Sequence, residues 1–312
     1  HILRGGTPRN RPALKAIMQR TSLAATRLGI GLYLLGVFFF ALNDALGKWL
    51  VADYGVGQLL FLRSVGALIV LAPFAWRVRK DLFVKDRWGL QLLRVIGMTA
   101  DSWCFYAATR TMPLADVMTF YMAAPLIITA LSAPLLGERV GAVRWGAVLV
   151  GFVGVLVALQ PSSAAFSPDA LIALFGATMF GLSITITRQL RQTHWLPLVT
   201  VQFAFTGLFG AGMSAIHWVQ PGLVDLSLMF LLGIVAMGCF VAIAKALSIA
   251  PASVLAPFQY SSIVWATILG VMIWNDIPTV PILIGNAIII ASGLFVFYNE
   301  TRVRAEQEPQ SV

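Results

Sequence analysis

Apolar runs of membrane-spanning length, separated by short polar segments, set the pattern of this chain from position 28 onward. They occupy 28–52, 56–76, 89–109, 113–135, 142–160, 168–188, 196–218, 225–249, 253–274 and 279–299. Crossing the hydrocarbon core takes about 20 residues of α-helix, so the pattern predicts ten transmembrane helices. Strands of a barrel would alternate at period two, whereas a stretch such as Trp145 to Leu159 is apolar on every face.

Composition agrees: the 312 residues are 59% hydrophobic and 11% charged, with mean hydropathy +0.84. A soluble domain has about a quarter of its residues charged, so the missing polar surface is expected to face lipid. The net charge of +9 does not point to nucleic acid, because the basic residues lie in short segments between apolar runs rather than on one face. Lys and Arg gather in cytoplasmic loops. One side holds the tail, five basic residues from Arg77 to Arg87, Arg139 and Arg144, Arg188 and Arg191, and Arg302 and Arg304; the loops of the other hold only Arg110. Both termini are therefore expected in the cytoplasm, with the helices in a bacterial inner (plasma) membrane. Residues 1–27 carry Arg4, Arg9, Arg11, Lys15, Arg20 and Arg27 without an acid and lack the apolar core of a secretory signal. They read as a cytoplasmic tail, as do residues 300–312.

The halves repeat. Gly36, Phe40, Asn43 and Lys48 align with Gly176, Phe180, Ser183 and Arg188; Ala115-Asp-Val117 aligns with Ala252-Ser-Val254, and Gly146 and Gly154 with Gly285 and Gly293. The units are 28–160 and 161–299, five helices each. Five is odd, so the second unit enters from the opposite side, and the expected fold is an all-α polytopic protein of two inverted repeats. That architecture belongs to secondary transporters with a mid-membrane solute site.

Charges at mid-membrane cost at least about 2.5–3.5 kcal/mol each unless paired or wetted. Asp44, Arg63 and Asp101 are expected at one depth, and Lys48, four positions after Asp44, on the same helix face. Asp44, Lys48 and Asp101 are placed on the solute path and Arg63 in an interhelical network, although an ion-paired staple is the competing reading. Phe40, Asn43 and Gly47 share a face whose repeat mate is Phe180, Ser183 and Thr187; Phe40, Asn43 and Ser183 are expected on the solute path, with close helix packing as the competing reading. Tyr121, Gln259 and Tyr260 lie well inside their helices and are expected to line the cavity. Pro125 and Pro257 are expected to kink helices four and nine and act as gates. Arg94 and Lys245 are expected to snorkel toward the cytoplasmic interface. Cys104 and Cys239 read as packing residues. The sequence has no GxSxG, HExxH or phosphate-loop motif, so no catalytic residue, metal or cofactor is expected, and the chain is not read as an enzyme.

The runs Met112-Pro-Leu-Ala115-Asp-Val, Ala124-Pro125-Leu, Leu136-Gly137-Glu138-Arg139 and Trp145-Gly146 through Gly154 resemble the EamA family of the drug/metabolite transporter superfamily. So does Val254-Leu-Ala-Pro257-Phe-Gln-Tyr260-Ser. The resemblance implies ten helices, two EamA repeats and metabolite transport, and within the family it is nearest to the YddG-type amino-acid exporters. Trp274-Asn275-Asp276 stands where the second repeat of the family usually carries Gly-Glu, which favours a structural role for that acid. The resulting expectation is a monomeric carrier exporting neutral or aromatic amino acids by alternating access, its partners a small-molecule solute and the lipid bilayer. A riboflavin-like vitamin importer of the same fold and a channel are the alternatives.

Overall fold

The computed structural model describes residues 11–77, 87–136, 141–159, 167–190, 195–249 and 255–307. The basic loop at 78–86, Gly137 to Arg139, Arg191, and the side chains of Arg144, Arg188, Arg302, Arg304, Pro125 and Pro257 lie outside the described residues. The helices are α1 (Arg11–Asp53), α2 (Val56–Arg77), α3 (Trp88–Thr109), α4 (Leu114–Tyr121), α5 (Ala124–Leu136), α6 (Ala142–Leu159), α7 (Pro168–Gln189), α8 (Trp195–Ser214) and α9 (Leu223–Ile249). A 3₁₀ turn (Ala256–Tyr260), α10 (Ser261–Trp274) and α11 (Val280–Gln307) follow. Taking α4 with α5, and the turn with α10, leaves the ten membrane segments read from the sequence.

Among the described residues, five helices meet both length and apolarity for crossing a membrane: Arg27–Asp53, Val56–Trp76, Pro168–Thr187, Trp195–Ser214 and Leu223–Ile243. The 22-residue α3 is long enough but carries Arg94 and Asp101; its polar groups are turned onto neighbouring helices rather than lipid. Outward-facing side chains are apolar, with Leu149 65% and Leu208 75% exposed. Exposed Trp76, Trp88 and Trp195 mark one end of the bundle and Trp49 and Trp218 the other, as in the aromatic belts of membrane proteins.

Helix four breaks at Met122–Ala123, where Met122 N–H still reaches Met118 O at 2.9 Å but Ala123 N–H turns back to Phe120 O at 3.1 Å. Pro125, three residues on from Met122, has no N–H for the Tyr121 carbonyl one turn earlier. In helix nine Pro257 lies in the first turn of the 3₁₀ segment. A Ser167 cap starts α7, its Oγ accepting from Ala170 N–H at 3.2 Å ahead of Pro168 at the first helical position.

Packing runs mainly between the halves and obeys their pseudo-twofold relation. α1 lies on α9 as α7 lies on α3; α2 on α9 as α8 on α3; α10 on α1 as α5 on α7. The pairs α2–α8, α6–α11 and α4–α10 cross the pseudo-axis itself. Glycines allow two of these crossings. A Cβ on Gly210 would lie 2.6 Å from Gly57 O, and one on Gly285 2.6 Å from Gly154 O, so backbone meets backbone as at other close membrane crossings.

Candidate functional site

Where α1, α2, α3 and α4 converge, polar side chains gather inside the bundle. Asp44 of α1 is 6% exposed. Arg63 of α2 donates from Nη1 to the Tyr106 hydroxyl of α3 at 2.9 Å and lies over that ring, 5.4 Å from its centroid. Gly47, three residues beyond Asp44, has no Cβ because the Tyr106 ring occupies that space. Asp101, one turn before Tyr106 on α3, accepts from the Tyr121 hydroxyl of α4 through its backbone carbonyl at 3.2 Å. Tyr121 is packed edge-on against Phe105 at 5.3 Å and lies 6.4 Å from Phe180 of α7, so both halves contribute to its surroundings.

The Arg63 charge acts on both Asp44 and Asp101, and the two carboxylates act on each other. No ion-pair contact joins them among the described residues. Arg63 Nε and Asp101 Oδ1 are buried without a hydrogen-bond partner among the described residues.

Lys48 does not pair with Asp44. Its Nζ meets Asp276 Oδ2 at 3.0 Å, donates to Met112 O at 3.1 Å and lies 4.6 Å from the centre of the Trp274 ring. Two features explain the difference. Asn275 takes a left-handed conformation, φ 58°, which Asn tolerates better than most residues, and this turn after α10 brings Asp276 to Lys48. Asp44 lies one turn deeper and faces the Arg63 charge. The acid at the departure from Gly-Glu thus holds the lysine, and the remaining set is two carboxyl groups and one guanidinium.

Asn43 and Ser183 lie in helix seams. Asn43 Nδ2 donates to Leu232 O of α9 at 2.7 Å, and its repeat mate Ser183 donates from Oγ to Arg94 O of α3 at 3.2 Å. Phe40 packs edge-on against Phe240 of α9 at 5.4 Å. A buried amide without water must find a protein partner, and here the next helix's carbonyl is nearest. Arg94 does not snorkel: it is 5% exposed and donates to Leu198 O of α8 at 2.6 Å. Thr99 and Thr206 lie 2.8 Å apart nearby, with Gln202 3.0 Å from Thr206. Gln259 and Tyr260 are half-buried in the 3₁₀ turn, the Tyr260 hydroxyl lying against Gly293 of α11. Ser262, just beyond, contacts Met122 Sδ at 3.7 Å, so the two irregular segments meet across the α4–α10 crossing.

The partner that sequence reasoning missed is Tyr106. It stood in the aromatic stretch Trp103, Phe105, Tyr106, and its spacing of five from Asp101 did not mark it as Arg63's acceptor. Among the described residues no group of three or more His, Cys, Asp or Glu could hold a metal ion. An apolar groove of about 340 Å³ lies between α3, α7 and α8, lined by Ala100, Trp103, Phe175 and Phe209 among others.

Ten apolar segments, pseudo-twofold packing and a cluster of polar groups inside the bundle define a membrane transporter of small molecules. The family model "EamA-like transporter family" matches residues 27–160 and again 168–298, and the chain belongs to that family. It is 28% identical to the S-adenosylmethionine uptake transporter of Rickettsia bellii over 291 residues, 92% of this chain and 99% of that protein. It is 26% identical to a riboflavin transporter of Rhizobium johnstonii, over 94% of this chain and 99% of that one. To the pseudopaline exporter of Pseudomonas aeruginosa it is 26% identical, over 85% and 94%. A solved structure titled "Crystal structure of protein" superposes with TM-score 0.60 at 18% identity, over 90% of this chain and 98% of that one, a likeness of fold alone. These names do not support the expected likeness to a YddG-type amino-acid exporter.

Proposed function

We propose that this chain is a secondary carrier that takes up S-adenosylmethionine, or a metabolite closely like it, across a bacterial inner membrane. The observation that carries the reading is end-to-end similarity to rickettsial S-adenosylmethionine uptake transporters. The interior supports it: a zwitterionic, sulfonium-bearing solute needs both acidic and basic groups, and Asp44, Arg63 and Asp101 supply them between apolar walls. A monomer of two inverted repeats rocks about this site, exposing it to one side at a time, with both termini in the cytoplasm. Under that orientation the Lys48–Asp276 pair lies at the outer end. The amino-acid export expected from the sequence gives way to this reading because the relatives found are named for other solutes.

The test is counterflow in proteoliposomes loaded in turn with S-adenosylmethionine, riboflavin and aromatic amino acids. Saturable exchange of S-adenosylmethionine is the expected result. Exchange of riboflavin alone would move the chain to the vitamin carriers, exchange of amino acids alone would restore the exporter reading, and a linear unsaturable flux would make it a channel.

A further inference from the structure

Lys48 is committed to Asp276 at 3.0 Å, which leaves Asp44, Asp101 and Arg63 as the ionisable groups of the interior cluster, two carboxyl groups and one guanidinium. The guanidinium is itself engaged by the Tyr106 hydroxyl at 2.9 Å. Asp44 is 6% exposed, and Asp101 Oδ1 is buried with no donor among the described residues. The Tyr121 hydroxyl lies against the Asp101 carboxyl group, and a buried oxygen still left without a donor is costly, so Oδ1 is open to a group that the protein does not supply. Beside it stand aromatic rings: Tyr121, tethered to the Asp101 carbonyl, with Phe105 at 5.3 Å and Phe180 at 6.4 Å. Aromatic faces attract cations that have no N–H to donate, which is how quaternary ammonium groups are recognised, and a sulfonium is of that kind.

We infer that Asp101, with Asp44 behind it and Tyr121, Phe105 and Phe180 beside it, forms a subsite for the positively charged sulfonium group of the solute. Arg63, whose charge acts on both carboxyl groups, is held by Tyr106. The inference rests on the uptake reading above and deepens it, since it names the part of the solute that the interior selects. No atom of Lys48 or Asp276 takes part; that pair belongs to the end of the bundle.

The experiment compares counterflow of S-adenosylmethionine with that of S-adenosylhomocysteine, which lacks the methyl group and is a neutral thioether at sulfur. Wild type should prefer the sulfonium by about tenfold or more, equivalent to at least about 1.4 kcal/mol. Asp101→Asn should bring the ratio near unity, Asp101→Glu should retain a preference, and Arg63→Gln should raise it. A ratio is read because a folding defect lowers both fluxes together and leaves it unmoved. An unchanged ratio in Asp101→Asn overturns the subsite; if that variant moves neither solute, Arg63→Gln decides, a ratio that holds or falls overturning it. Wild type that exchanges neither compound overturns the uptake reading itself, and with it this subsite.

Discussion

Lys48 and Asp276 are 228 positions apart in sequence and 3.0 Å apart in space. The contact ties α1 of the first repeat to the turn after α10 of the second, with Met112 O from the α3–α4 connection as Lys48's other acceptor. Side chains 10% and 25% exposed place the pair between a screened surface bridge and a desolvated one. Asp276→Asn should therefore lower stability by about 1–2 kcal/mol, read as the shift in thermal unfolding of the detergent-solubilised protein. Lys48→Met with Asp276→Asn should cost less than the sum of the single changes, because each single change leaves the other group unpaired. Additive losses would show that the two side chains do not interact.

Asn43 and Ser183 make a second, symmetric tie. Their acceptors, Leu232 O on α9 and Arg94 O on α3, belong to segments related by the same repeat. Interhelical hydrogen bonds inside membranes average about 0.6 kcal/mol. Asn43→Leu and Ser183→Ala should each cost about that much, adding when combined because the sites are separate. Solute affinity should stay within about twofold of wild type, and a tenfold rise in KM for Asn43→Leu would return that side chain to the solute path.

How much of this was legible beforehand follows from what each signal measures. Apolar run length reports burial in lipid, so the ten segments and the inverted repeat could be read directly. Spacing within one helix reports which residues share a face, yet says nothing about which neighbour that face meets. Asp44 and Lys48 satisfied the four-residue rule, and a left-handed turn at Asn275, 227 residues away from Lys48, decided the pairing instead. Asn43 and Ser183 carried the small-polar signature that fits cavity lining and helix packing alike, and the hydrogen bonds they make to α9 and α3 depend on neighbours that spacing does not reveal. The convergence of Asp44, Arg63 and Asp101 could be anticipated from their common depth. Tyr106 could not, because its role depends on how α3 is rotated toward Arg63.

Tyr106 controls the position of Arg63, and Gly47 makes room for Tyr106. Tyr106→Phe removes the acceptor but keeps the ring, leaving a buried guanidinium N–H unpaired at a cost of about 1–3 kcal/mol. Gly47→Ala puts a methyl group where the ring now sits, so the ring must move and take its hydroxyl with it. Both changes should reduce transport by about tenfold or more in protein that still elutes as a single species. Gly47→Ala with Tyr106→Phe should then be little worse than either alone, because both act through one contact. A fully active Gly47→Ala protein would mean the network tolerates displacement of Tyr106.

The α6–α11 crossing depends on Gly154 and Gly285, each directed at the other's carbonyl. At Gly285 a side chain cannot be accommodated by rotamer changes, since the obstructing atoms are backbone and the Cβ of Ala158. Gly285→Val should cost about 1–3 kcal/mol or more through overpacking, seen as lost membrane yield and a lower unfolding temperature. Gly146→Val is the control: no atom outside its own helix lies within 4 Å of its Cβ position, so it should be tolerated. Equal losses from the two changes would indicate a general effect of valine in these helices rather than the crossing.

The distribution of basic residues makes the final prediction, which concerns orientation. Exposed Gln220 lies in the connection between α8 and α9, and exposed Gly141 in the connection between α5 and α6. The second connection sits beside Arg139 and Arg144, on the side that collects the Lys and Arg residues and is therefore expected in the cytoplasm. The native thiols Cys104 and Cys239 are buried, so an added surface cysteine should dominate labelling. In intact cells a membrane-impermeant maleimide should label Gln220→Cys and leave Gly141→Cys unlabelled until the cells are permeabilised. The reverse pattern would invert the whole chain in the membrane and put the Lys48–Asp276 pair on the cytoplasmic side. Labelling of both from outside would mean that the two connections are not separated by an odd number of membrane segments, as α6, α7 and α8 between them require.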